Sequence, residues 1–234
     1  MSKTLGIIGG MGPLATVGLF NKIVLKTDAK SDQDHIHILI DNNTLIPDRT
    51  EYILGKGKNP LNELVNSAVK LEKMGADFLI MPCNTAHYFY EEIKKEVSID
   101  FLNMIEETVK YIKTNYPINK KVGLLGTEGT IKSGIYDLYF NKQGIEVINP
   151  KKDSQDAITD IIYGIKEGKK EISLEGMYRV VDELKSMGAD VFILGCTELS
   201  VLNDMYKLKG NFVDALNVLT DRAIEFAGKN IINK

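Results

Sequence analysis

The chain has 234 residues, 44% hydrophobic and 26% charged, with a formal net charge of −3. A chain of this length can bury one large core or two smaller ones, and its composition is that of an ordinary soluble globular protein. The slight negative charge and the lack of any long Lys/Arg run argue against nucleic acid as the main partner.

Short apolar runs alternate with longer segments of helical periodicity, the order expected of an α/β protein with parallel sheet. The first strand is read at Leu5–Ile8; a glycine loop follows, and Pro13 suits the first position of a helix. Ile36–Ile40 is the second strand. Leu61, Leu64, Val65, Ala68, Val69 and Leu71 recur at helical spacing and run into Gly75, a C-terminal cap. Phe78–Met81 is the next strand, followed in the second half by Val122–Leu125 and Glu146–Ile148. A helix from Leu174 to Met187 ends at Gly188, before a strand at Val191–Leu194. Phe78–Met81 and Val191–Leu194 carry no polar residue and read as central strands buried on both faces.

The chain repeats itself. Met74-Gly75-Ala76-Asp77 and the strand after it, ending at Cys83, return in register as Met187-Gly188-Ala189-Asp190 and a strand ending at Cys196. Leu5-Gly6-Ile7-Ile8-Gly9 returns as Val122-Gly123-Leu124-Leu125-Gly126, at a slightly different offset, so the halves differ by a small insertion or deletion. The expected architecture is two similar α/β domains with mainly parallel sheets, related by a pseudo-twofold axis, with the active site in the cleft between them. The first spans residues 1–116 and the second 117–214, joined near Tyr116–Asn119, with a C-terminal helix of about 215–234 packing back on the first domain.

No signal peptide is evident at the N-terminus, and no apolar stretch approaches the roughly 18 residues that cross a bilayer. The protein is expected in the cytoplasm, away from membranes, where its two cysteines stay reduced. The histidines and cysteines lack metal-ligand spacing, so no structural zinc is expected.

The cysteines are the chemically informative residues. Each stands just past an apolar strand, at the end where ligands gather in open α/β sheets. Polar residues follow: Asn84 and Thr85 after Cys83, Thr197 and Glu198 after Cys196. Two related domains facing one another would bring the thiols to opposite sides of a bound molecule. That arrangement suits inversion of a carbon centre, in which one group takes a proton from one face and another returns a proton to the other. A free thiol is mostly protonated at neutral pH, so the base needs help, which backbone N–H groups at a following helix N-terminus can supply.

In these residues the sequence resembles the aspartate/glutamate racemase superfamily, in its aspartate racemase branch. Four segments carry the resemblance: Gly6–Pro13, Pro47-Asp48-Arg49-Thr50, Met81-Pro82-Cys83-Asn84-Thr85-Ala86-His87 and Leu194-Gly195-Cys196-Thr197-Glu198-Leu199. The resemblance implies an amino-acid racemase that uses no PLP or other cofactor, works on a small acidic amino acid, and forms a homodimer. It implies Cys83 and Cys196 as the catalytic thiols. It further implies Asn84, Thr85, Thr127 and Thr197 as holders of the α-carboxylate and amino group, and Arg49 and Lys166 as cations near the carboxylates. Met11 joins the substrate-binding set, with Gly10, Gly12 and Glu198 in support. A planar Arg fork also suits a side-chain carboxylate on physical grounds.

The sequence departs from glutamate racemases in having Gly-Gly-Met-Gly after the first strand and Glu198 after the second Cys-Thr, which makes glutamate the less favoured substrate. Glu198 would raise the pKa of a nearby thiol and so suits Cys196 as the protonated partner. His87, one helical turn past Cys83, is read either as a support of the site or as a helix-surface residue. Other readings stay open: a maleate isomerase or hydantoin racemase within the superfamily, and a non-catalytic amino-acid-binding protein. Gly10-Met11-Gly12-Pro13-Leu14-Ala15, with Asp41 closing the next strand, also fits a dinucleotide fingerprint loosely.

Overall fold

The computed structural model describes residues 2–116, 121–169 and 171–232. Strands β1 (Leu5–Gly9), β2 (Ile38–Asn42), β3 (Phe78–Ile80) and β4 (Asp100–Phe101) belong to the first half, and β5 (Lys121–Gly126), β6 (Glu146–Ile148), β7 (Val191–Gly195) and β8 (Phe212–Asp214) to the second. Helices α1 (Pro13–Lys26), α2 (Arg49–Ile53), α3 (Leu61–Lys73), α4 (Tyr90–Lys95) and α5 (Met104–Asn115) connect or follow the first four strands. The second half carries α6 (Glu128–Ser133), α7 (Ile135–Asn141), α8 (Lys152–Lys166), α9 (Glu175–Ser186), α10 (Thr197–Tyr206) and α11 (Ala215–Phe226).

Two four-stranded sheets form, in the orders β2-β1-β3-β4 and β6-β5-β7-β8. All pairings within them are parallel, so the second sheet repeats the first strand for strand. In this order the chain leaves β1 to one side and returns to its other side at β3. The carboxyl ends of β1 and β3 therefore flank a crevice at a topological switch point, and those of β5 and β7 flank its counterpart. β1, β3 and β7 are buried along their whole length. This is why they read as plain apolar runs. Gly75 and Gly188 end the helices before β3 and β7 with φ of +98° and +96°, a left-handed turn open to glycine at little cost.

The second strand begins two residues later than its apolar run suggests, because pairing with β1 runs from Ile38 opposite Leu5 to Asn42 opposite Gly9. Ile36 is buried all the same, in the core beneath Leu5 and Ile7. Two edge strands, β4 and β8, have no counterpart in the sequence reading: two and three residues long, they are too short for a periodic pattern. Asn103, two residues past β4, and Asp214, the last residue of β8, do the same job in each half, accepting backbone N–H bonds at the N-termini of α5 and α11.

The cores on the inward faces are exchanged between the halves. Ile105, Val109 and Ile112 of α5 pack with Val122, Leu124, Val191 and Ile193 of the second sheet. Leu216, Leu219, Ala223 and Ile224 of α11 pack with Leu5, Ile7, Phe78 and Ile80 of the first. The two helices lie against each other, and Arg222 Nε donates to Glu107 Oε2 at 2.8 Å. The junction expected near Tyr116–Asn119 lies, apart from Tyr116, outside the described residues. No helix among the described residues is long and apolar enough to cross a membrane.

Candidate active site

Four chain segments leave the sheets at the two switch points: Gly10–Gly12 after β1, Cys83–Thr85 after β3, Thr127 after β5 and Cys196–Glu198 after β7. They meet over a cavity of about 20 Å³, the size of roughly one water molecule. Cys83 and Cys196 both border it, 6% and 7% exposed. So do Met11, Asn84, Thr85 and Thr127, and on the other side Arg49, Lys166, Thr197 and Glu198. Gly10 and Gly12 stand outside it, in the wall of an adjoining cavity. Gly10 has φ +93°, and a Cβ there would fall 2.3 Å from the Asn43 carbonyl oxygen, so the loop that aims Met11 inward needs glycine at this position.

The two thiols sit in different local structure. Cys196 is the N-cap of α10, which begins at Thr197. Cys83 is followed by a 3-10 turn, Thr85–Phe89, before α4 begins. A regular helix directly after each cysteine is therefore found only at Cys196. The turn after Cys83 is held by His87, which is buried rather than on a helix surface. The Met104 backbone N–H donates to His87 Nε2 at 3.1 Å, which leaves Nδ1 as the protonated nitrogen, 2.8 Å from the Cys83 carbonyl oxygen. Burial pulls the imidazole pKa down to about 4, so the ring is neutral at ordinary pH.

Cys196 donates from Sγ to Glu198 Oε2 at 2.9 Å, and Thr197 Oγ1 lies 3.3 Å from the same oxygen. Burial, and next the Glu198 charge, push the thiol well above its ordinary value, against an opposing pull from Lys166. That direction favours the thiol over the thiolate at Cys196. Lys166 is the last residue of α8. Desolvation acts to lower its pKa, but nearby negative charge, Glu198 foremost, outweighs it and holds the ammonium above its usual value. Arg49 is the first residue of α2, after the Asp48 cap. Its Nη1 donates to the Pro47 carbonyl at 3.1 Å, and its buried Nε has no partner.

The polar floor joins the halves. Thr85 Oγ1 lies 3.0 Å from Thr127 Oγ1 and 2.8 Å from Thr130 Oγ1, and Thr127 and Thr130 are 3.0 Å apart. Thr50 adds a longer contact to Thr127 at 3.4 Å. Tyr136 donates to Asn84 Oδ1 at 2.6 Å, while the buried Asn84 Nδ2 has no partner. Unpaired buried donors are costly, and at Asn84 and Arg49 they border one cavity, where an anionic group would satisfy both. Thr50, Thr130 and Tyr136 were not singled out from sequence. Thr50 lies inside the Pro47–Thr50 segment and Thr130 three residues past Thr127, whereas Tyr136 is one aromatic residue of a helix with nothing local to mark it.

Among the described residues, no group of three or more His, Cys, Asp or Glu stands together to hold a metal. Asp41, which a dinucleotide fingerprint would turn to a ribose, is engaged by Lys70 at 3.1 Å.

The sequence pattern of the family described as Asp/Glu/Hydantoin racemase matches residues 8–222. The broad specificity amino-acid racemase RacX of Bacillus subtilis is 33% identical over 223 residues, covering 90% of this chain and 92% of that protein. The structure of Picrophilus torridus aspartate racemase superposes with a TM-score of 0.84 at 34% identity, covering 98% of this chain and 96% of that one. The glutamate racemase isoform RacE1 of Bacillus anthracis, at 17% identity and a TM-score of 0.67, shares the fold over 97% of this chain and 80% of its own. With its family pattern matched over most of its length, the chain belongs to the Asp/Glu/hydantoin racemase family.

Proposed function

We propose that this amino-acid racemase interconverts L- and D-aspartate without PLP, using Cys83 and Cys196 as the two proton-transfer groups. The observation that carries the reading is that both thiols, at the ends of equivalent strands, border one cavity whose wall also includes Asn84, threonine hydroxyls, the cations Arg49 and Lys166, and the carboxylates Asp48 and Glu198. In one direction a Cys83 thiolate takes the α-proton, and Cys196, as the thiol, delivers its own proton to the opposite face. The pair then stands as Cys83 thiol and Cys196 thiolate, ready for the reverse reaction. A thiolate beside Glu198 is unfavourable, and the Lys166 ammonium offsets that charge.

As the α-proton leaves, negative charge spreads onto the α-carboxylate. Hydrogen-bond donors already in place stabilise it best, because they need not reorganise at the moment of reaction. The unpaired Nδ2 of Asn84 is such a donor, with the threonine hydroxyls beside it. Arg49 and Lys166 are suited to the substrate's second carboxylate. The cavity is small, so substrate enters as its walls part. The same reading carries a homodimer at work in the cytoplasm, with residues 1–116 and 117–214 as its two domains, except that α5 crosses to the core of the second and α11 to that of the first.

The test is to incubate reduced protein with L-aspartate in deuterated water, without added PLP, and follow the α-proton by NMR. Loss of the signal with appearance of D-aspartate supports the reading. An intact α-proton rejects aspartate as the substrate.

A further inference from the structure

Outward from the thiols, the small cavity adjoins a larger one of about 220 Å³. The two share four wall residues, Met11, Arg49, Lys166 and Glu198. Every charge in the outer cavity is on this shared wall. Beyond it the lining is two glycines and five apolar side chains: Pro13, Leu14 and Ala15 from the first turn of α1, Ile165 from α8 and Val201 from α10. Leu14 is 57% exposed, at the outer rim.

An aspartate side chain is one methylene and a carboxylate, and it ends at the cations of the shared wall. The apolar chamber beyond would contribute nothing to holding it. An aliphatic chain that continues past the wall instead leaves water for an apolar surface, at a gain of about 25 cal/mol per Å². Apolar walls with a few polar groups converging at one end are the usual form of a small-molecule site. Met11, buried and unbranched, is the apolar member of the shared wall and adapts well to a passing chain.

We propose that the outer cavity is a side-chain subsite, and that it extends the substrates of this racemase to neutral α-amino acids with long aliphatic or thioether side chains, such as norleucine and methionine. The proposal rests on the reading that Cys83 and Cys196 flank the α-carbon. The α-carboxylate and ammonium stay in the inner cavity, and the side chain crosses the shared wall. Val201 lines the outer cavity and not the inner one, so its size sets the room left for the chain.

The test is α-proton exchange in deuterated water with L-aspartate, L-methionine and L-norleucine, for the wild type, Val201→Phe and Val201→Ala. The wild type is expected to exchange the neutral substrates. Val201→Phe should lower the norleucine-to-aspartate ratio of kcat/KM by about tenfold or more, the range a few methylenes command in an apolar pocket. Val201→Ala, which keeps the proposal testable should the Phe variant not fold, should shift that ratio measurably. Exchange of aspartate alone overturns the subsite and leaves the racemase reading intact. Exchange of the neutral substrates alone supports the subsite and removes aspartate. A ratio unmoved by any folded variant overturns the subsite, and no exchange with any of the three overturns both readings.

Discussion

The hydroxyl of Tyr136, in the second half of the chain, donates a 2.6 Å hydrogen bond to Oδ1 of Asn84, the residue after Cys83 in the first half. Tyr136 is fully buried. Burial above all holds its phenol far above the ordinary value, so it remains a donor across the working pH range. The bond fixes which way round the Asn84 amide stands and leaves Nδ2 for the cavity. Tyr136→Phe would strand a buried carbonyl, at a cost of about 1–3 kcal/mol, and free the amide to turn over. We expect kcat/KM to fall roughly 10- to 100-fold, an effect of the size of one hydrogen bond to a charged group. In a double-mutant cycle the change should add nothing to Asn84→Ala. Additive losses would mean that Tyr136 acts somewhere else.

On the proposed two-base mechanism, either thiol alone is insufficient for inversion. Cys83→Ser and Cys196→Ser should each cut racemisation by about 10²–10⁴-fold or more, the contribution of a positioned acid or base. Polarimetry on purified variants checks this. Full activity in either one ends the two-base reading.

Burial, and next the Glu198 charge, raise the Cys196 pKa, so removing the carboxylate should shift the balance toward the thiolate. In a Cys83→Ser background only Cys196 can be alkylated, since the chain has two cysteines. Adding Glu198→Gln there should speed alkylation at pH 8 by roughly tenfold for each unit the thiol pKa falls. The pH at which alkylation is half-maximal should move down. An unchanged profile would mean that burial alone sets this thiol.

His87 gives the fold a definite acid sensitivity. Its pKa is 6.5 when free and about 4 when folded, so the unfolded chain takes up the proton first. Stability from the neutral ring is complete above pH 6.5 and is lost as pH falls from there to about 4, by about 3 kcal/mol in all. Urea unfolding across this interval should show the loss in the wild type and a smaller one in His87→Gln. Parallel curves would show that the imidazole is not the titrating group.

How far the structure was legible depended on whether its cause was local. β1, β3 and β7 stand out because strands buried on both faces must be apolar throughout. Cys83 and Cys196 stand out because the same helix, glycine and strand precede both. The edge strands β4 and β8 exist through their partners, and two or three residues carry no period. The 3-10 turn after Cys83 depends on His87 meeting Met104, a contact set by where α5 lies. Tyr136 reaches Asn84 only because two halves of the chain close on each other. Arg49 and Lys166 are placed near the substrate by the family resemblance rather than by any local pattern; the fold brings them to one wall.

The crossing of α5 and α11 decides what the smallest stable unit can be. A polypeptide ending at Tyr116 would leave the apolar face of its first sheet without Leu216, Leu219 and Ile224, and would extend α5 into water with Ile105, Val109 and Ile112 bare. The remaining polypeptide would have the mirror-image defect. Neither is a folding unit in isolation, yet each holds what the other lacks, so co-expressed fragments should reassemble without the peptide link between them. The proton-transfer pair inherits this dependence. One thiol comes from each fragment, and a cavity bordered by both exists only where both cores have been completed by the partner's helix.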